Sequence, residues 1–106
     1  MSELWIDVGA DEDVREGTIQ LVSLEGVAVV LVRAADGLHA LSAQCTHEQG
    51  DLADGDLDDT SIACPLHFSR FALTDGTPLD PPADEPLAVH PVLIRDGRIL
   101  IRTTPK

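Results

Sequence analysis

Short runs rich in β-branched residues, closed by tight turn signals, leave this chain little choice of fold class. Leu4 to Val8, Thr18 to Leu24, Val27 to Arg33, Leu38 to Ala43, Thr60 to Ala63, Arg70 to Leu73, Leu87 to Ile94 and Arg98 to Arg102 read as strands. Glu25-Gly26, Ala35-Asp36-Gly37 and Asp96-Gly97 read as the tight turns between neighbouring runs. ADEDVREG reads as a polar turn or a single helical turn. No segment keeps a helical period over ten residues. Strands with turn signals at this spacing predict an all-β sandwich or barrel.

A length of 106 residues fits one domain, and 43% apolar composition suits a globular chain. No apolar run approaches the ~20 residues of a membrane helix. The N-terminus MSELWIDVGADED lacks the layout of a secretory signal, so a cytoplasmic location is expected. Seven basic residues against a net charge of -12 argue against nucleic acid and anionic membranes as partners. Aromatic residues are few: Trp5, Phe68 and Phe71, with no tyrosine. Trp5 is expected to serve core or edge packing. A core this poor in large side chains would gain from a metal staple, and two cysteines cannot make a disulfide scaffold.

Two stretches interrupt the strands. Residues 44 to 59 are polar and acidic, and residues 74 to 86 carry four of the seven prolines, Pro78, Pro81, Pro82 and Pro86. Loops this long in a small domain are uncommon unless functional. From residue 34 to 94 there are eleven acids and one base, Arg70, which places -10 of the net charge there. Those acids either solvate the loops or form a docking face for a basic partner, with Glu48, Asp51, Asp54 and Asp56 the candidates.

Both cysteines and two of the four histidines fall in two short motifs, Cys45-Thr46-His47 and Cys64-Pro65-Leu66-His67, sixteen residues apart. Three readings are open on these residues alone. They are buried cysteines with unrelated histidines, a four-ligand zinc site, or a Rieske [2Fe–2S] centre in which two Cys hold one iron and two His the other. The first explains neither the doubling nor the loop setting. The second fits the donor set, but the usual zinc order puts a Cys pair in one element and a His pair in another. One Cys and one His per loop suits the third. His39 and His90 are expected to be surface or strand residues, with no carboxylate or cysteine at ligand spacing.

The sequence resembles the Rieske ferredoxins. The resemblance runs through LVRAADGLHAL, CTHEQGDLADGDL and CPLHFSRFALTDGTPLDPPADEPL to VLIRDGRILI, most of the chain. It implies stacked antiparallel sheets in a single domain over residues 1–106. A cluster-binding subdomain at one tip would span approximately 44–72, and a covering proline loop approximately 78–86, with Pro81 and Pro82 at its centre. It implies one [2Fe–2S] cluster held by Cys45, His47, Cys64 and His67. Replacing two thiolates by neutral imidazoles brings the oxidised centre to zero charge, which raises the potential into a range of about -150 to +300 mV. High-potential respiratory relatives add a Ser and a Tyr hydroxyl and a disulfide. Here Ser69 is present, Phe71 stands at the tyrosine position and no cysteine is spare. The acidic surroundings further disfavour adding an electron, so a potential in the lower part of that range is expected. Phe68 replaces the glycine common after the second motif, implying a different loop geometry there or a ring that caps the site.

The resemblance also implies a role. A four-ligand cluster moves electrons and binds no substrate. The chain has neither an H-x₄-H pattern for a mononuclear iron nor a nucleotide-binding glycine fingerprint. The implied protein is no enzyme. It is a one-electron shuttle, expected to act as a monomer, from an NAD(P)H-dependent flavin reductase to the terminal oxygenase of an aromatic-ring dioxygenase system. The alternatives are the small Rieske-type subunit of an assimilatory nitrite reductase and a zinc-stapled binding module.

Overall fold

The computed structural model describes residues 4–44, 51–65, 69–80 and 85–106. Ten strands appear among them: β1 (Trp5–Ala10), β2 (Ile19–Leu24), β3 (Val27–Ala34), β4 (Gly37–Ser42), β5 (Asp56–Leu57), β6 (Ser61–Ala63), β7 (Arg70–Ala72), β8 (Val89–His90), β9 (Val92–Arg95) and β10 (Arg98–Arg102). The rest is turns and two short 3₁₀ segments, Asp11–Asp13 and Leu52–Asp54. No helix among the described residues is long and apolar enough to cross a membrane.

The strands form three antiparallel sheets, in the orders β1-β10-β9, β2-β3-β4-β8 and β5-β6-β7. The four-stranded sheet lies between two cores, and β3 explains why. Its side chains alternate: Val29 and Leu31 join a cluster with Ile99 and Ile101 of β10, while Val30 and Val32 join one with Ile62, Cys64 and Phe71. Each of those residues is fully buried. A strand covered on both faces reads as a continuous apolar run, which is what VAVVLV is. The expected stack of antiparallel sheets is therefore present.

The predicted turns fall where the strands reverse. Glu25 and Gly26 adopt φ of 51° and 92°, and Asp96 and Gly97 adopt 52° and 75°, the two successive positive values of a hairpin turn matched to strand twist. ADEDVREG contains the 3₁₀ turn Asp11–Asp13, and Arg33 of β3 clamps it. Nε of Arg33 donates to the Val14 carbonyl at 2.7 Å, and Nη2 donates to the carbonyl and the carboxylate of Asp11.

Two expectations need correction. Leu87 to Ile94 is not one strand: β8 and β9 belong to different sheets. Pro91 sits between them, lacks an N–H for a ladder, and gives its carbonyl to the Arg102 amide at 3.1 Å. The polar stretch 44–59 is not simply a loop. It holds a 3₁₀ turn and β5, because Leu52, fully buried, and Leu57 pack on the second core.

Candidate metal centre

The two motifs sit at necks that hydrogen bonds close. On the first, Gln44 bridges Asp51, and the Leu52 amide donates to the Ala43 carbonyl at 2.7 Å. On the second, β6 pairs with β7 through Ala63 and Arg70, and the Cys64 amide donates to the Ser69 carbonyl at 2.9 Å. Main-chain pairing then ties one neck to the other, for Asp56 and Leu57 of β5 register against Ala63 and Ile62 of β6. Gly55 makes the approach possible. A Cβ there would lie 2.0 Å from the Ala63 carbonyl oxygen, so only glycine fits. Ala43, Leu52, Cys64 and Phe71 share one buried cluster beneath both necks.

Of the expected ligands, Cys64 is described: it is fully buried beside Phe71 in that cluster. Cys45, His47 and His67 lie outside the described residues, as do Glu48, Phe68, Pro81 and Pro82. Phe71 brings no hydroxyl and serves as the largest buried side chain of this core. Ser69 is 1% exposed, and its Oγ has no hydrogen-bond partner among the described residues. A buried hydroxyl without an acceptor is costly, and here it belongs to the residue whose carbonyl holds the Cys64 amide. A group rich in sulfur acceptors bound at Cys64 would supply the acceptor, so the donor set and the orphan hydroxyl both fit a cluster.

The stretch after β7 folds back over it. Phe71 bridges Pro78, the Leu79 amide donates to the Arg70 carbonyl at 2.7 Å, and the Leu87 amide closes on the Gly76 carbonyl at 2.9 Å. Gly76 has φ of 75°, and a Cβ on it would meet the Leu87 carbonyl oxygen at 2.2 Å. Asp80 pairs with Arg70, whose guanidinium hydrogen bonds hold its carboxyl below the usual carboxylate range. Sequence reading missed Asp80, since nothing in the nine intervening residues links it to Arg70.

The candidate docking acids Asp51, Asp54 and Asp56 are exposed. Asp51 also has a local task, accepting the Ala53 amide at 2.9 Å. Asp58 is occupied as well: it accepts from the Ser61 hydroxyl at 2.7 Å and from the Thr60 and Ser61 amides, and the hydroxyl bond is the main reason its pKa is lowered. His39 and His90 are strand residues, as expected. His39 does have a carboxylate neighbour, however: its Nε2 lies 2.8 Å from Asp36 Oδ1 across the turn. His90 is buried with Nδ1 2.8 Å from the Arg102 carbonyl oxygen. Trp5 is half-buried on the edge strand β1.

Comparison with known proteins gives a consistent result. A family profile described as "Rieske [2Fe-2S] domain" matches residues 4–91. Ferredoxin CarAc of Metapseudomonas resinovorans is 34% identical over 102 residues, covering 95% of this chain and 95% of its own. The ferredoxin component of the naphthalene 1,2-dioxygenase system of Pseudomonas aeruginosa is 34% identical over 101 residues, covering 95% and 97%. Among solved structures, a chain from a complex of reduced oxygenase and oxidized ferredoxin in carbazole 1,9a-dioxygenase superposes with a TM-score of 0.93. It is 31% identical and covers 99% of this chain and 98% of that one. A structure described as an NADH-dependent nitrite reductase small subunit from Mycobacterium tuberculosis superposes with a TM-score of 0.87 at 25% identity, covering 100% of both chains.

Proposed function

This chain belongs to the Rieske [2Fe-2S] domain family, and from that premise we propose that it is the ferredoxin of a multicomponent dioxygenase system. It is an electron carrier and not a catalyst. It takes electrons from an NAD(P)H-dependent flavin reductase and delivers them to a terminal oxygenase. The observation that carries this reading is the end-to-end match to ferredoxin components of such systems, 95% of this chain and 95–97% of theirs.

The cofactor is one Rieske-type [2Fe–2S] cluster, which supplies one-electron exchange. Cys45 and Cys64 would hold one iron and His47 and His67 the other. Cys64 enters from a buried position with its backbone already fixed, and Ser69 offers a buried hydroxyl donor next to it. Phe68, Pro81 and Pro82 would cover the site, and Glu48, Asp51, Asp54 and Asp56 would face the partner. The domain occupies residues 1–106, with the cluster-binding subdomain at about 44–72 and the proline loop at about 78–86, and acts as a cytoplasmic monomer.

A second reading has a specific observation in its favour. The likeness to a nitrite reductase small subunit also spans the whole of both chains. A carrier would exchange partners; a subunit would stay with one. Affinity capture of the protein from its native host separates them. A shuttle comes away alone and supports electron flow to a dioxygenase when a flavin reductase and NADH are added. A nitrite reductase subunit comes away with a large partner at a fixed ratio, and that outcome would overturn the shuttle.

A further inference from the structure

One peptide group stands between the proline loop and the described cysteine ligand. The unit joining Ser69 to Arg70 accepts the Cys64 amide on its carbonyl at 2.9 Å. Its N–H donates in turn to Asp80 Oδ2 at 3.2 Å. The guanidinium of the same Arg70 grips that carboxylate too, with Nε on Oδ2 at 2.6 Å and Nη2 on Oδ1 at 3.1 Å. An ordinary surface ion pair leaves the backbone out and contributes little. Here three N–H groups of one residue converge on one carboxylate, so the ion pair also fixes a peptide plane.

We propose that Asp80 is a positioning residue for Cys64, acting through the Ser69–Arg70 peptide, with Arg70 supplying the charge that lets a carboxylate serve there. The proposal rests on Cys64 being a cluster ligand. The carboxylate is delivered from fixed backbone, because the Leu79 amide on the Arg70 carbonyl and the Leu87 amide on the Gly76 carbonyl hold this stretch without it. Loss of the Asp80 side chain should therefore act locally. Arg70 is the only Lys or Arg from residue 34 to 94. Pairing it with Asp80 keeps the acceptor from adding net negative charge beside a centre that must take up an electron.

The test uses the cluster-loaded protein and three variants, Asp80→Ala, Asp80→Asn and Arg70→Lys. Deuterium uptake of the segment spanning Cys64 and the rate of cluster bleaching by a chelator are followed, with the EPR spectrum of each reduced sample. Asp80→Ala is expected to raise both rates about fivefold, the size of one net hydrogen bond, and to shift the g values. Asp80→Asn keeps an acceptor oxygen, and Arg70→Lys keeps the amide and the charge; both should stay within about twofold of the native rates. Native behaviour of Asp80→Ala, or equal behaviour of Asp80→Ala and Asp80→Asn, would overturn the proposal while the native EPR signal still supported the Rieske reading. Absence of a rhombic signal from the native reduced protein would overturn both.

Discussion

Cys64 and Asp58 mark the two kinds of polar residue on which this domain depends. Cys64 is buried in an apolar cluster with its amide fixed; such surroundings disfavour a bare thiolate, so the bound metal of the proposed centre is what would keep its sulfur deprotonated. Its proposed partners on the other iron, His47 and His67, set the electronics. Substituting either by cysteine adds thiolate charge, so His47→Cys and His67→Cys should each move the midpoint potential markedly downward in voltammetry. An unchanged midpoint would remove that histidine from the ligand set. Asp58 is the structural case. Its folded pKa lies below the ordinary 3.8, chiefly through the Ser61 hydroxyl and then the Thr60 amide. Its stabilising bonds are therefore complete above about pH 4 and fade as pH falls below 3.8 towards the lowered folded value. Asp58→Asn should lose stability at pH 7 but converge on the native protein in acid, as urea unfolding at several pH values would reveal.

At the scale of elements, the strands written in β-branched residues were legible because both local propensity and burial demand them. β3 is covered on both faces and reads as unbroken apolar sequence; the Glu25-Gly26 and Asp96-Gly97 turns carry residues suited to positive φ. The strands flanking the second motif were read as well, but the short elements that follow the first motif were not legible. β5 has two residues, and the Leu52–Asp54 turn is anchored by a single leucine in an acidic stretch, too little pattern for either period to register. The motifs themselves were plain in sequence, whereas the Gly55–Ala63 approach and the Asp80–Arg70 contact arise only from tertiary pairing. Leu52 is the element-level test. It is fully buried beneath both necks, so Leu52→Ala should cost about 2–5 kcal/mol in denaturant unfolding. A loss below half a kilocalorie would mean that the first neck is not packed on this core.

For the whole molecule, charge is proposed to govern how partners meet, and the cluster what passes between them. The net charge of -12, with -10 of it between residues 34 and 94, should speed encounter with a basic partner at low salt. Replacing Asp54 and Asp56 by asparagine should slow electron transfer at low ionic strength and leave the cluster spectrum unchanged. Equal rates would reduce those acids to solvation. The central claim is that two Cys and two His share one binuclear centre, and EPR before and after anaerobic dithionite reduction tests it most directly. The oxidised sample should be silent and the reduced one rhombic, with an average g below that of all-cysteine clusters. A reduced sample without that signal, holding zinc by elemental analysis in place of iron, would contradict it.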